Sequence, residues 1–267
     1  MFPYEALTEF LRDLNVPVVV ASLGINEKFK FESRARFARR LDSRLINFLK
    51  LLGKRSPFLG VRGFETARFL EQLGIESDVI GGPSMFRRSF QELKNLQTER
   101  DRLWRGAEGS GGVLATSEVG ERLLRMANAV VRQDILDCGS TVIRNRNYLY
   151  PRNPEELEEA YRGQRLAFGS RMHGAIAALN EGLATSVTSS DARTTEMAKL
   201  IGLRRFHSKS GLERLTLERL FNETSHGIDP QRFTTASTKY WNFLHRAGLI
   251  KPNHREAPSR ERGANLS

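Results

Sequence analysis

The chain has 267 residues, 39% hydrophobic and 27% charged, the make-up of a globular protein with room for one large domain or two small ones. Forty-two Lys and Arg against 31 Asp and Glu leave a net charge of +11, which suits an anionic partner such as nucleic acid, acidic headgroups or an anionic substrate. The longest apolar run, Val16 to Ile25, is too short to span a bilayer, Met1 to Ala6 lacks a leader's basic-then-apolar pattern, and the single Cys138 excludes an internal disulfide and fits a reducing compartment.

In chain order, Tyr4 to Asn15 reads as a helix and Val16 to Ala21 as a buried strand stopped at Ser22-Leu23-Gly24. A long amphipathic helix is expected from about Ser33 to Leu52. Its apolar stripe is Phe37, Leu41, Leu45, Phe48 and Leu52, and Arg34, Arg36, Arg39, Arg40 and Arg44 form a solvated face. The strand Pro57 to Val61 leads to a helix from Phe64 to Leu73 closed by Gly74. Ile75 to Ile80 follows as a strand, ended by Gly81-Gly82-Pro83-Ser84. This βαβαβ rhythm predicts a parallel sheet.

A polar helix from Arg87 to Trp104 runs into the glycine-rich stretch Gly106 to Gly112, which reads as an interdomain linker. Beyond it the alternation resumes. The strand Val113 to Ala115, a helix from about Glu118 to Asp137, the strand Thr141 to Ile143 and a helix over Pro154 to Tyr161 are expected. Leu166 to Phe168 is a strand that turns straight into the helix opening at Met172. Ala184 to Thr188 is a further strand, and Ala192 to Leu200, Leu212 to Phe221 and Thr234 to Arg246 are helices. From Lys251 onward the basic, proline-containing composition predicts disorder.

The candidate chemistry sits at strand ends, where open α/β sheets bind ligands. Ser170-Arg171-Met172-His173-Gly174 puts an arginine fork and a titratable imidazole at a helix start, whose unpaired N–H groups favour an anion. An equally available reading pairs Arg171 with a surface acid and lets His173 satisfy a buried backbone group. Arg62, in Gly60-Val61-Arg62-Gly63-Phe64-Glu65-Thr66, is either a second anion ligand or the partner of Glu65. Asp191 is by default an N-cap, with Arg193 and Glu196 solvated. Cys138, between Asp137 and Gly139, reads as a structural thiol, and His226, His245 and His254 as surface residues. The sequence has no metal-ligand spacing, P-loop or dinucleotide fingerprint, and no nucleic-acid-binding signature.

In this order the segments SLGIN, FLGVRGFETARFLEQLGI, GGPSMF, FGSRMHGAIAALNEG and DARTTEMAKLIGL resemble the polysaccharide pyruvyl transferase family, over about Val16 to Leu203. The resemblance implies an α/β fold of two Rossmann-like parallel-sheet domains facing a cleft, similar to GT-B glycosyltransferases. The expected division is 1–105 for the first domain, 106–112 for the linker, 113–250 for the donor-binding domain and 251–267 for the tail. Family members generally open with a strand and a glycine-rich loop. Here a helix leads directly to the strand at Val16, so a first domain without its opening βα units is expected.

The implied activity moves the enolpyruvyl carbons of phosphoenolpyruvate onto sugar hydroxyls as a ketal in exopolysaccharide or cell-surface glycan synthesis, with no cofactor or metal beyond that donor. Carried onto this sequence, Arg171 and His173 become catalytic, with His173 as general acid. Ser170, Gly174, Arg62, Asp191, Arg193 and Glu196 become substrate-binding. The implied partners are phosphoenolpyruvate and a sugar or lipid-linked oligosaccharide acceptor. The implied location is the cytoplasm, with peripheral association at the inner membrane face and self-association as further expectations. Two other functions fit the same scaffold: a glycosyltransferase using a nucleotide-sugar, and a non-catalytic module for anionic polymers.

Overall fold

A computed structural model describes residues 4–25, 41–105, 112–115, 129–131, 147–149, 153–161, 164–188, 191–206, 216–224 and 227–251. Outside them fall Cys138, the predicted strand Thr141 to Ile143, the arginines from Arg34 to Arg40, the glycine-rich stretch up to Gly111, His207, His226 and the tail beyond Lys251. Among the described residues no helix is long and apolar enough to cross a membrane.

The first half builds a three-stranded parallel sheet. Helix α1 (Tyr4–Asp13) precedes β1 (Val19–Leu23), which pairs with β2 (Phe58–Val61); β2 then pairs with β3 (Asp78–Val79), in the order β1-β2-β3. Strand β1 starts at Val19 rather than Val16, beyond Pro17, which has no N–H to give a ladder. Its register with β2 slips between Val20 and Leu23, and within that bulge Ser22 takes φ +70°. Helix α2 (Ser43–Arg55) is shorter than the expected Ser33–Leu52 span. The Asp42 carboxylate accepts the Arg44 N–H at 2.9 Å and so caps the helix there, which the uninterrupted apolar stripe had concealed. Helix α3 (Phe64–Gln72) links β2 to β3, and Gly74 at φ +71° ends its chain reversal. Strand β3 is two residues long, not the six from Ile75 to Ile80. A 3-10 turn over Pro83–Phe86 and helix α4 (Phe90–Arg105) complete this half.

The second sheet has six parallel strands: β4 (Gly112–Ala115), β5 (Ala129–Val131), β6 (Asn147–Leu149), β7 (Gln164–Gly169), β8 (Ala184–Thr188) and β9 (Arg204–Phe206), in the order β6-β5-β4-β7-β8-β9. The chain fills one side of β4, returns, and fills the other, which is the doubly wound Rossmann-like order with its switch between β4 and β7. Strand β5 corrects the expected helix from Glu118 to Asp137. Ala129-Val130-Val131 pairs with Leu114 and Ala115 on one side and Asn147 to Leu149 on the other. The β-branched pair belongs to a strand interior, and the surrounding polar periodicity masked it. The connections are α5 (Pro154–Tyr161), α6 (Met172–Asn180), α7 (Ala192–Ile201) and α8 (Leu217–Thr224), and α9 (Pro230–Arg246) closes the described chain. Helix α9 begins at Pro230, four residues before the expected Thr234. The Asp229 carboxylate accepts the Gln231 and Arg232 N–H groups, with proline at the first helical position.

Helix α9 serves both halves. Its Phe243 meets Phe58 of β2 edge-on with centroids 6.3 Å apart, and its Phe233 meets Phe86 of the 3-10 turn at 5.6 Å. One buried cluster therefore runs from Ile80, Met85 and Phe86 through Met172 and Ile176 of α6 and Met197 and Ile201 of α7 to Phe243. A separate cluster under the first sheet joins Leu49 and Leu52 of α2 to Leu59, Val61, Phe69 and Leu70.

Candidate functional site

Three turns at carboxyl ends of parallel strands carry the predicted site residues. The β7–α6 turn, beside the β4/β7 switch, carries Ser170, Arg171, His173 and Gly174. Arg171 stands at the N-cap of α6 in extended conformation and its side chain makes no cap bond, so the helix's first N–H groups take no cap from that side chain. His173, one residue into the helix, is exposed at its outer edge. Gly174 is buried, and its carbonyl accepts the Tyr161 hydroxyl at 3.1 Å, which clamps the first turn of α6 to α5. Burial, followed by the charge of Glu181, pushes the Tyr161 phenol well above its ordinary value, so it stays a neutral donor.

Arg62 follows β2 in the first sheet. It does not pair with Glu65, which bridges to Arg68 at 3.2 Å instead. Its Nε donates to the Ser22 carbonyl at 2.9 Å and to Ser22 Oγ at 3.0 Å, and its own N–H donates to the Leu23 carbonyl at 2.8 Å. Gly24 is required beside it, because a Cβ there would lie 2.9 Å from Arg62 Cδ. The positive φ of buried Ser22 is a conformation that costs a non-glycine residue on the order of 1–3 kcal/mol, and it brings carbonyl and hydroxyl to one arginine nitrogen.

Across from Arg62, helix α7 brings Arg193. Its N-cap Asp191 accepts the Thr194 N–H at 2.6 Å and lies 4.0 Å from the Arg193 guanidinium, while Arg193 Nε is buried without a hydrogen-bond partner. The charge of Arg193 reaches both Arg62 and His173. Burial and then the charge of Arg193 lower the Arg62 pKa, with Asp191 opposing. Partial burial of the ring and then the charges of Arg62 and Arg193 lower the His173 pKa. The charges of Arg62 and Arg193 thus reach His173 from the first sheet and from α7, and among the described residues Asp191 is the acid that opposes them at Arg62.

Glu196 is brought to the same region and turned elsewhere. It is 6% exposed, and its carboxylate reaches from α7 across to the N-terminus of α3. One oxygen accepts the Glu65 N–H and the Thr66 N–H (3.1 Å for the latter), and the other accepts the Thr66 hydroxyl at 3.0 Å. Thr66 Oγ1 in turn accepts the Ile25 N–H at 3.2 Å. Burial pushes the Glu196 carboxyl above the usual range while these bonds pull the other way. Gly63 leaves the room this contact needs, since a Cβ there would meet Glu196 Cβ at 2.4 Å. Ser22, Thr66 and Tyr161 were not foreseen; their roles depend on tertiary partners that no local pattern announces. Among the described residues no group of three His, Cys, Asp or Glu could hold a metal ion.

The model of one protein family, described as polysaccharide pyruvyl transferase, matches residues 2–185. That span contains Arg62, Ser170, Arg171, His173 and Gly174 and ends before Asp191, Arg193 and Glu196. No curated protein matches the chain. Among solved structures, one of the subunits of dipicolinate synthase from Bacillus halodurans is 9% identical, covering 76% of this chain and 70% of its own, at a TM-score of 0.25. A similarity of that size carries no argument about fold or activity.

Proposed function

The chain belongs to the polysaccharide pyruvyl transferase family, and on that premise we propose that it moves the enolpyruvyl group of phosphoenolpyruvate onto two hydroxyls of a glycan as a ketal. The observation that supports this reading is that Arg62, His173 and Arg193, carried by three different elements, lie within electrostatic reach of one another. Phosphoenolpyruvate presents a phosphate and a carboxylate close together and needs more than one cation. Arg62 and Arg193 supply two, with Arg171 at the α6 N-terminus as the third. In this reading the two sheet units hold the donor between them in a GT-B-like arrangement.

His173 is the general acid. In the free protein burial, and then the charges of Arg62 and Arg193, lower its pKa; a bound dianion opposes that field, so the imidazole takes up a proton with the donor. That proton goes to the donor's methylene carbon as the first acceptor hydroxyl attacks the adjacent carbon, and the hydroxyl's own proton returns to His173. The carbon–oxygen bond to phosphate then breaks, the second hydroxyl attacks the same carbon, and its proton leaves with the phosphate. Glu196 holds α3, and through Thr66 and Ile25 the β1 loop, in place behind Arg62.

Calorimetric titration of phosphoenolpyruvate into the protein and into Arg62→Ala, Arg193→Ala and His173→Ala tests the reading. Saturable binding is expected, weakened at least about tenfold, or 1.4 kcal/mol, by each arginine change. Wild-type affinity in all three variants would remove the donor site from these residues.

A further inference from the structure

A hollow of about 470 Å3 lies between the start of α3, the approach to β3 and one face of α9. That is the size of a small-ligand site. Its walls carry Phe64, Ser77, Asp78, Lys239, Asn242 and His245. Asp78 is occupied by Arg246 at 2.5 Å, so that pair contributes little net charge. The side chains of Ser77, Lys239, Asn242 and His245 have no hydrogen-bond or ion-pair partner among the described residues. Phe64 stands 54% exposed at the rim, a bare phenyl on a turn that buries the residue on either side of Arg62.

We propose that this hollow seats a sugar ring of the acceptor glycan, adjoining the ring that receives the pyruvate. A pyranose has one face of C–H groups and a belt of hydroxyls. The first packs on an aromatic ring, and the second needs planar, two-way hydrogen-bonding groups such as an amide and an imidazole. Phe64 offers the ring, and Asn242, Ser77 and His245 offer the belt. Location agrees, because Phe64 is two residues from Arg62 and its Cα lies within about 7 Å of that of Arg62 along the chain. A glycan lying against Phe64 would therefore run close to Arg62, the proposed donor ligand. A peptide strand is the poorer occupant. Strand β3 is the edge of its sheet, but its two residues are too short to template one. The inference rests on the acceptor being a polysaccharide, as the family implies.

Saturation-transfer NMR with the full chain, without phosphoenolpyruvate, tests it using three probes: cellotetraose, chitotetraose and a tetragalacturonate. At least one should receive saturation, strongest on the C–H face of one ring. Phe64→Ala and Asn242→Ala, both at exposed positions, should each weaken binding at least tenfold. Phe10→Ala, at an equally exposed phenyl on α1, should leave it unchanged. Failure of all three probes to bind, or binding that survives both hollow variants, overturns the assignment. Phosphoenolpyruvate titrated separately keeps the two readings apart: sugar binding lost with Phe64→Ala in a protein that ignores phosphoenolpyruvate would uphold the hollow and reject the donor site.

Discussion

Removing the Glu196 carboxylate by Glu196→Ala should destabilise the protein by about 2–4 kcal/mol, whatever the protein does with substrates. Three donors lose their acceptor: the Glu65 and Thr66 N–H groups at the start of α3 and the Thr66 hydroxyl. The hydroxyl can rotate to another acceptor, but the two N–H groups cannot, and each buried donor left unpaired costs about 1–3 kcal/mol. Relief of the carboxylate's own burial, which holds its pKa high, offsets part of that sum. Glu196→Gln separates bond from charge. Its amide oxygen can accept both N–H groups and its NH2 can donate to Thr66 Oγ1, so it should stay within about 1 kcal/mol of wild type. The two should also differ in pH response. Because the folded pKa is raised above the unfolded one, this carboxyl favours folding below about pH 4.5 and loses that contribution as pH rises through the raised value; both variants should lack that slope. Urea unfolding followed by far-UV circular dichroism, with midpoints compared at constant slope, measures both. An alanine variant within 0.5 kcal/mol of wild type would refute the claim that this carboxylate ties α7 to α3.

Arg193→Ala should raise the His173 pKa, because one of the two charges that repel its imidazolium is gone; an NMR titration of the imidazole reads the shift, and an unchanged value would separate the two residues. Donor binding should draw in a proton, so the calorimetric enthalpy should vary with the ionisation enthalpy of the buffer and affinity should rise as pH falls. A buffer-independent enthalpy would remove His173 from the donor's field. Gly202→Ala, at φ +69° and with a Cβ 2.4 Å from Asp229 Cβ, should cost more than the roughly 1 kcal/mol of the backbone conformation alone, read as a lower urea midpoint.

How far the sequence reached depended on run length and on distance. Strands with unbroken apolar runs were visible: Leu166 to Phe168 is buried on both faces, where polar alternation has no place, while Val18 to Ala21 stood out by its β-branched run although β1 is only half-buried and Ala21 exposed, not the buried strand expected. Three-residue strands were not: Ala129–Val131 lay inside a helical periodicity, and Asn147–Leu149 is too short for its apolar pattern to stand out from the polar residues around it. At the site, Arg62, Arg171, His173 and Arg193 could be named from strand-end motifs. That Arg62 would be aimed by Ser22, 40 positions away, and that Glu196 would face α3 rather than solvent, are products of how the two sheets meet. The hollow was equally hidden, since Lys239, Asn242 and His245 follow the spacing of an ordinary wet helix face until β3 is set against them.

The position of α9 in the chain sets a clock for the ribosome. Phe58 waits for Phe243, which is synthesised 185 residues later. At about 5–20 residues per second, that interval is roughly 10–40 s. Throughout it the apolar face around Phe58 and Phe86 lacks the cover that Phe233 and Phe243 of α9 supply. A stop codon before α9 would leave that face without this cover.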